Sequence, residues 1–195
     1  MTTEPATASR SATILSEVLG PAPLLSVLFL EAGLESGSGG WWALLPILGI
    51  ATIPYCALIL LARRGRVSDR FVGERRQRLP ILLGILVCIG IVLAVLALAD
   101  APTPIVTASI AAAIGLVVVM VANAVWKLSI HMAIVMFFAL YQFIALPPWA
   151  AMVLVIALPL TLGWARIAAR AHTLAQVIAG AAAGALVFVV YLFIR

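Results

Sequence analysis

The sequence predicts an all-α fold, a polytopic integral membrane bundle of six to seven spans. Three observations predict it. Hydrophobic residues make up 65% of the 195 and charged residues 10%, where an ordinary soluble domain carries about 25% charged residues. Mean hydropathy is +1.24, and the apolar residues fall in runs near the length of about 20 that crosses the hydrocarbon core as a helix. The breaks between runs are short and coincide with Pro, Gly or charge. Residues 12–195 therefore read as a single transmembrane helical domain.

Residues 1–11 are polar, carry Glu4 and Arg10 and read as a disordered N-terminal tail. The first apolar segment, 12–33, holds Glu17, Pro21, Pro23 and Glu31. These interruptions are wrong for the uniform core of a cleavable signal peptide, so the segment is kept as a span or a half-buried helix. A Gly/Ser-rich loop follows at 35–40. The second segment, 41–62, opens on an interfacial Trp41-Trp42 pair and carries Pro46 and Pro54 as kinks. Residues 63–78 form the one long polar loop, with seven arginines against Asp69 and Glu74. Segment three, 80–99, places Pro80 where a first helical turn tolerates proline. Residues 100–104 turn the chain into segment four, 105–125. Residues 126–130 are a brief polar interruption, segment five runs 131–144, and Pro147-Pro148 breaks it. Segment six, 149–162, ends before Arg166 and Arg170. Segment seven, 172–194, is threaded with Gly180 and Gly184, small residues that allow close helix packing in a membrane.

The net charge of +5 raises nucleic acid as a partner, but the arginines cluster beside apolar segments. A juxtamembrane basic loop is a topology signal or a partner for anionic headgroups, so membrane lipids and not nucleic acid are the expected partners. A homo-oligomer stays open. If loop 63–78 is cytoplasmic, seven alternating spans bring eleven of the twelve Lys and Arg to that side and leave Arg195 on the other, as the positive-inside tendency requires. Cys56 and Cys88 fall inside apolar runs as small buried thiols; two such cysteines make no disulfide framework and no metal pattern.

The same count puts both histidines, His131 and His172, at one membrane surface with Lys127, Arg166 and the arginine loop. A helix start offers unpaired N–H groups and partial positive charge to an anion, and guanidinium or ammonium donors strengthen such a site. Neutral imidazole attacks phosphorus as a nucleophile, a protonated imidazole donates to the leaving oxygen, and arginine stabilises the transition state. Taken singly each residue has a plainer role, as a headgroup contact, a helix cap or a stop signal for a span. Together they point to phosphate chemistry.

The run Arg166, five residues, His172, three residues, Gln176 resembles the third signature of the type 2 phosphatidic acid phosphatase (lipid phosphatase and haloperoxidase) superfamily, Ser-Arg-x5-His-x3-Asp. Leu128-Ser129-Ile130-His131 is similar to its second, Pro-Ser-Gly-His, and Arg78-Leu79-Pro80 to the Arg-Pro end of its first, Lys-x6-Arg-Pro. The similarity covers the C-terminal two-thirds of the chain. It implies His172 as the phosphohistidine nucleophile and His131 as the acid for the leaving group. It also implies Arg166 and Arg78 as phosphate clamps and Ser129 as a phosphate contact, with no metal and no cofactor. Lys127 and two loop arginines, Arg70 and Arg76, join the candidate phosphate-binding set. The chain departs from the pattern at Gln176, where the family has the Asp that orients the nucleophile, at Ala165 for Ser, Ile130 for Gly and Leu128 for Pro.

Two expectations follow. One is a lipid phosphatase of the cell (inner) membrane that cleaves an isoprenoid or phospholipid-type phosphate or diphosphate through a phosphohistidine, with the site facing the cytoplasm. The other is a catalytically inactive relative that binds anionic or phosphorylated lipids, to which the amide of Gln176 and the bulk of Ile130 point. A transporter component is a third class, suggested by the proline-broken spans; Glu17 and Glu31 alone would mark its path.

Overall fold

The computed structural model describes residues 10–38, 40–67 and 75–195, with side chains from residue 78 onward in the last stretch. Residues 1–9 of the expected tail and Arg70 lie outside the described residues, as does the side chain of Arg76. Among the described residues every regular element is helical. Six stretches are long and apolar enough to cross a membrane: Arg10–Glu35, Trp41–Arg63, Arg78–Leu98, Thr103–Val125, Pro148–Ala168 and Leu174–Ile194. With the shorter apolar helix Ile130–Ala145 they form the all-α bundle of an integral membrane protein.

The first segment begins earlier than expected and is broken. Arg10 already belongs to α1 (Arg10–Val18), and α2 (Pro21–Glu35) restarts the helix after Leu19 and Gly20. Pro21 has no N–H for the carbonyl of Glu17 and its ring collides there; at the start of a new helix the missing donor costs nothing.

The second segment is a composite. A 3-10 turn (Trp41–Ala43) and the single turn α3 (Leu44–Pro46) lead into a π-helical turn (Ile47–Thr52) and α4 (Ile53–Arg63). Pro54 cannot donate to the carbonyl of Ile50, and the wider π turn absorbs that loss between the two prolines. Thr52 Oγ1 donates to the carbonyl of Ile47 at 2.9 Å. Beyond it α4 diverges, its close backbone neighbours lying in the π turn. Cys56 is exposed on α4, and Cys88 is half-buried on α5. The expected burial is thus corrected for Cys56, whose side chain no neighbouring helix covers, and is only partial for Cys88.

The polar loop is shorter than 63–78, because helix holds both ends: α4 runs through Arg63 and α5 (Arg75–Leu98) starts well before Pro80, which lies inside it. Arginine is a good helix former and extends the span into the polar zone. Then follow α6 (Thr103–Val125), α7 (Ile130–Ala145), α8 (Pro148–Ala168) and α9 (Leu174–Ile194). Segment six does not stop at 162. It continues to Ala168 with Pro159 inside, so Arg166 belongs to its last turn.

Helix α7 is the centre, packed by α2, α6, α8 and α9. Its 16 residues span about 24 Å at the usual rise, less than a hydrocarbon core of about 30 Å. It runs parallel to α9: Ser129 lies against Gly180, Ala133 against Gly184, and Tyr141 against Tyr191. A β-carbon on Gly184 would stand 2.1 Å from the carbonyl oxygen of Ala133, and one on Gly180 2.5 Å from that of Ser129. Only glycine lets the two backbones approach this closely.

At the far end of that pair Arg195 meets Glu35 at 2.5 Å, Tyr141 Oη donates to Glu35 at 3.3 Å, and Gln142 Nε2 donates to Glu31 at 2.9 Å. These bonds fix α2, α7 and α9 to one another at the end opposite the histidines.

Candidate active site

The connection from α8 to α9 is tightly built. Arg170 adopts φ +51°, Ala171 N–H donates to the carbonyl of Arg166 at 3.1 Å and Arg170 N–H to that of Ile167 at 2.9 Å. This is the Schellman ending of a helix, with arginine where glycine is usual. The tight ending leaves Arg166 in the last turn, 4% exposed, and brings His172 straight back over it. Lys127, from the α6–α7 turn, donates to the carbonyl of Ala171 at 2.7 Å and so ties the two turns together.

His172 does not open α9, as the sequence suggested; Thr173 caps that helix and the histidine stands just before the cap. The reason is a capping box. Thr173 Oγ1 accepts from Gln176 N–H at 3.4 Å, and Gln176 Oε1 accepts from Thr173 N–H at 3.2 Å, which satisfies two orphan donors reciprocally. A backbone N–H can only donate, so the amide oxygen of Gln176 faces it. The same oxygen lies 3.1 Å from His172 Nδ1, which must therefore carry the proton. Nε2 is left with its lone pair. Burial, then the charges of Arg166 and Lys127, lower the pKa of His172 to about 4 against the partial opposition of Gln176. The imidazole is neutral at physiological pH.

At the start of α7, Ser129 is fully buried as the N-cap and its hydroxyl accepts from Met132 N–H at 3.4 Å. Its own N–H donates to the carbonyl of Gln176 at 3.3 Å, which joins the two helix starts. His131 follows in the first turn. Asn123, missed by the sequence reading, clasps this corner. It donates to the carbonyl of Val119 at 2.9 Å and accepts from Leu128 N–H at 3.2 Å. A buried asparagine near the end of an apolar helix was the signal available.

Arg78, Lys127, His131, Arg166 and His172 all line one cavity of about 510 Å³. Ser129 and Gln176 do not line it; they stand behind the imidazoles as cap and orienter. The Ser129 hydroxyl accepts the Met132 N–H at the helix start and keeps its own proton to donate. The cavity continues away from the cations along an apolar wall, down α5 to Ile89 and down α6 to Ala108. From Arg78 to Ile89 that is about 16 Å of helix, roughly one leaflet of hydrocarbon. Its shape is amphipathic, with cations and imidazoles at one end and mainly aliphatic and aromatic side chains for the rest, broken by Thr13 and Ser16 of α1 and Asn123 of α6.

Among the described residues no group of three His, Cys, Asp or Glu is placed to hold a metal ion. No protein-family model, curated protein or solved structure matches the chain.

Proposed function

We propose that the protein is a membrane-embedded phosphohydrolase acting on a lipid phosphate or diphosphate, of isoprenoid or phospholipid type, at the cytoplasmic face of the cell membrane. The observation that carries the reading is the shared cavity: a neutral imidazole with a free Nε2, a second imidazole and three cationic side chains face one space that continues into apolar depth. Phosphate fits the cationic end and a hydrocarbon chain fits the rest.

In this reading Nε2 of His172 attacks phosphorus and the P–N bond forms as the P–O bond to the leaving oxygen breaks, which is the lipid oxygen in a monophosphate and the bridging oxygen in a diphosphate. His131 carries a proton when the phosphate dianion is bound and gives it to the leaving oxygen. It then takes a proton from water, whose oxygen attacks phosphorus and releases His172. Arg166, Arg78 and Lys127 balance the charge of the transferring group. Gln176 holds the tautomer but brings no negative charge, which points to slow turnover.

Purified protein in detergent should release inorganic phosphate from farnesyl phosphate or an acylglycerol phosphate, and His172→Ala should lose the release entirely. Full activity in that variant would remove the mechanism. The second reading, a binding protein without turnover, is favoured by the same amide: it predicts lipid-phosphate binding that weakens in Arg166→Ala, with no phosphate release by the native chain.

A further inference from the structure

The cavity has one polar wall that phosphate chemistry leaves unused. Ser16, on α1, lines it and is 2% exposed, and its hydroxyl finds no hydrogen-bond partner among the described residues. A serine in a helix commonly bonds the carbonyl four residues back, as Ser26 and Ser109 do here. Ser16 does not. Buried hydroxyls are rarely left unmatched, so one facing a cavity is poised for a group the cavity receives.

The position of α1 says which part of a ligand that is. Helix α2 ends at Glu35 beside Arg195 and Tyr141, so its start at Pro21 lies about 21 Å back toward the histidines. Helix α1 precedes that start and packs on α8, the helix that carries Arg166. Ser16 and Thr13 thus wall the cavity where a phosphate would pass into its carrier, and a bare hydrocarbon there would leave Ser16 unpaired.

On the lipid-phosphate reading above, we infer that Ser16 is a specificity residue that hydrogen-bonds an oxygen just beyond the reacting phosphate. The favoured lipids carry such an oxygen, either in a glycerol ester or in the second phosphate of a diphosphate.

Two matched pairs test this with the full chain in detergent, by equilibrium binding with phosphate release followed in parallel. One pair is 1-oleoylglycerol 3-phosphate against oleyl phosphate, the other farnesyl diphosphate against farnesyl phosphate. The native protein should prefer the oxygen-bearing member of at least one pair by about fivefold, the size of one neutral hydrogen bond. Ser16→Ala should bring that ratio to about one, and the pair affected identifies the source of the oxygen. Binding of all four lipids with no preference in the native protein, or a preference that Ser16→Ala leaves intact, overturns the inference alone. No binding of any lipid overturns the lipid-phosphate reading with it. Binding without phosphate release removes the enzyme and leaves the Ser16 ratio readable.

Discussion

His172 Nδ1 donates to Gln176 Oε1 at 3.1 Å, and the oxygen that accepts it is fixed by the backbone N–H of Thr173. The orientation of the imidazole is therefore written into the cap of α9. Replacing Gln176 by Glu keeps the reach and adds a negative charge, which favours imidazolium. In Gln176→Glu the acid limb of phosphate release should move to higher pH and the maximal rate should rise. An unchanged limb in that pH profile would show that the carboxylate does not face the ring.

In the native protein the same limb lies at lower pH. A histidine lowered from 6.5 to about 4 stays neutral above that value, so release should persist through pH 5 and fall as pH drops through about 4. The unfolded chain binds this proton near the ordinary value, so it holds more protons between the two values. Stability should therefore decline as pH falls from 6.5 toward 4 and level off below. Thermal unfolding of His172→Asn, compared with the native chain over that interval, should show a shallower slope.

The contact of α7 with α9 positions both imidazoles. Gly184→Ala would drive a methyl group into the carbonyl of Ala133 and should cost about 1–3 kcal/mol, with loss of phosphate release as the helix starts part. Gly90 on α5 has nothing within 4 Å of an added β-carbon. Gly90→Ala should keep both stability and activity, as melting and release assays can compare.

Arg170 holds a left-handed backbone at φ +51°. A β-branched residue pays most for that conformation, so Arg170→Val should destabilise by about 1–2 kcal/mol, whereas Arg170→Gly should melt at or above the native temperature. Equal melting points for the two variants would mean that the turn relaxes.

At the opposite end, Glu35→Gln removes a partly exposed pairing with Arg195. Such pairs contribute roughly 0–1 kcal/mol. A small drop in melting temperature with unaltered phosphate release is expected, which separates this anchoring cluster from the site.

The spans were legible because hydropathy and length alone determine what a bilayer accepts. Pro147-Pro148 and the 126–130 interruption stand where the sequence put them, and so do the glycines of α9. The helix ends were less legible. Arg166 reads as a stop signal because charge suggests water, yet α8 carries it into a buried last turn; only the turn at Arg170 and its backbone partners decide that. Ser129 reads as a phosphate contact by its place in a motif; that it also caps α7 was not legible without the helix start. Ser16 carried no signal, since nothing local marks a serine whose neighbour is a cavity assembled from α2 and from α4 to α9.

The sequence by itself determined a helical membrane bundle and gathered His131, His172, Lys127 and Arg166 toward one end, because alternation of spans is a local property of apolar length and charge. Tertiary structure alone decided that these groups share one cavity with Arg78, that the lone pair of His172 is on Nε2, and that an apolar channel leads away from it. Those facts depend on how closely α7 and α9 approach and on what α1 covers, which are properties of packing between distant segments.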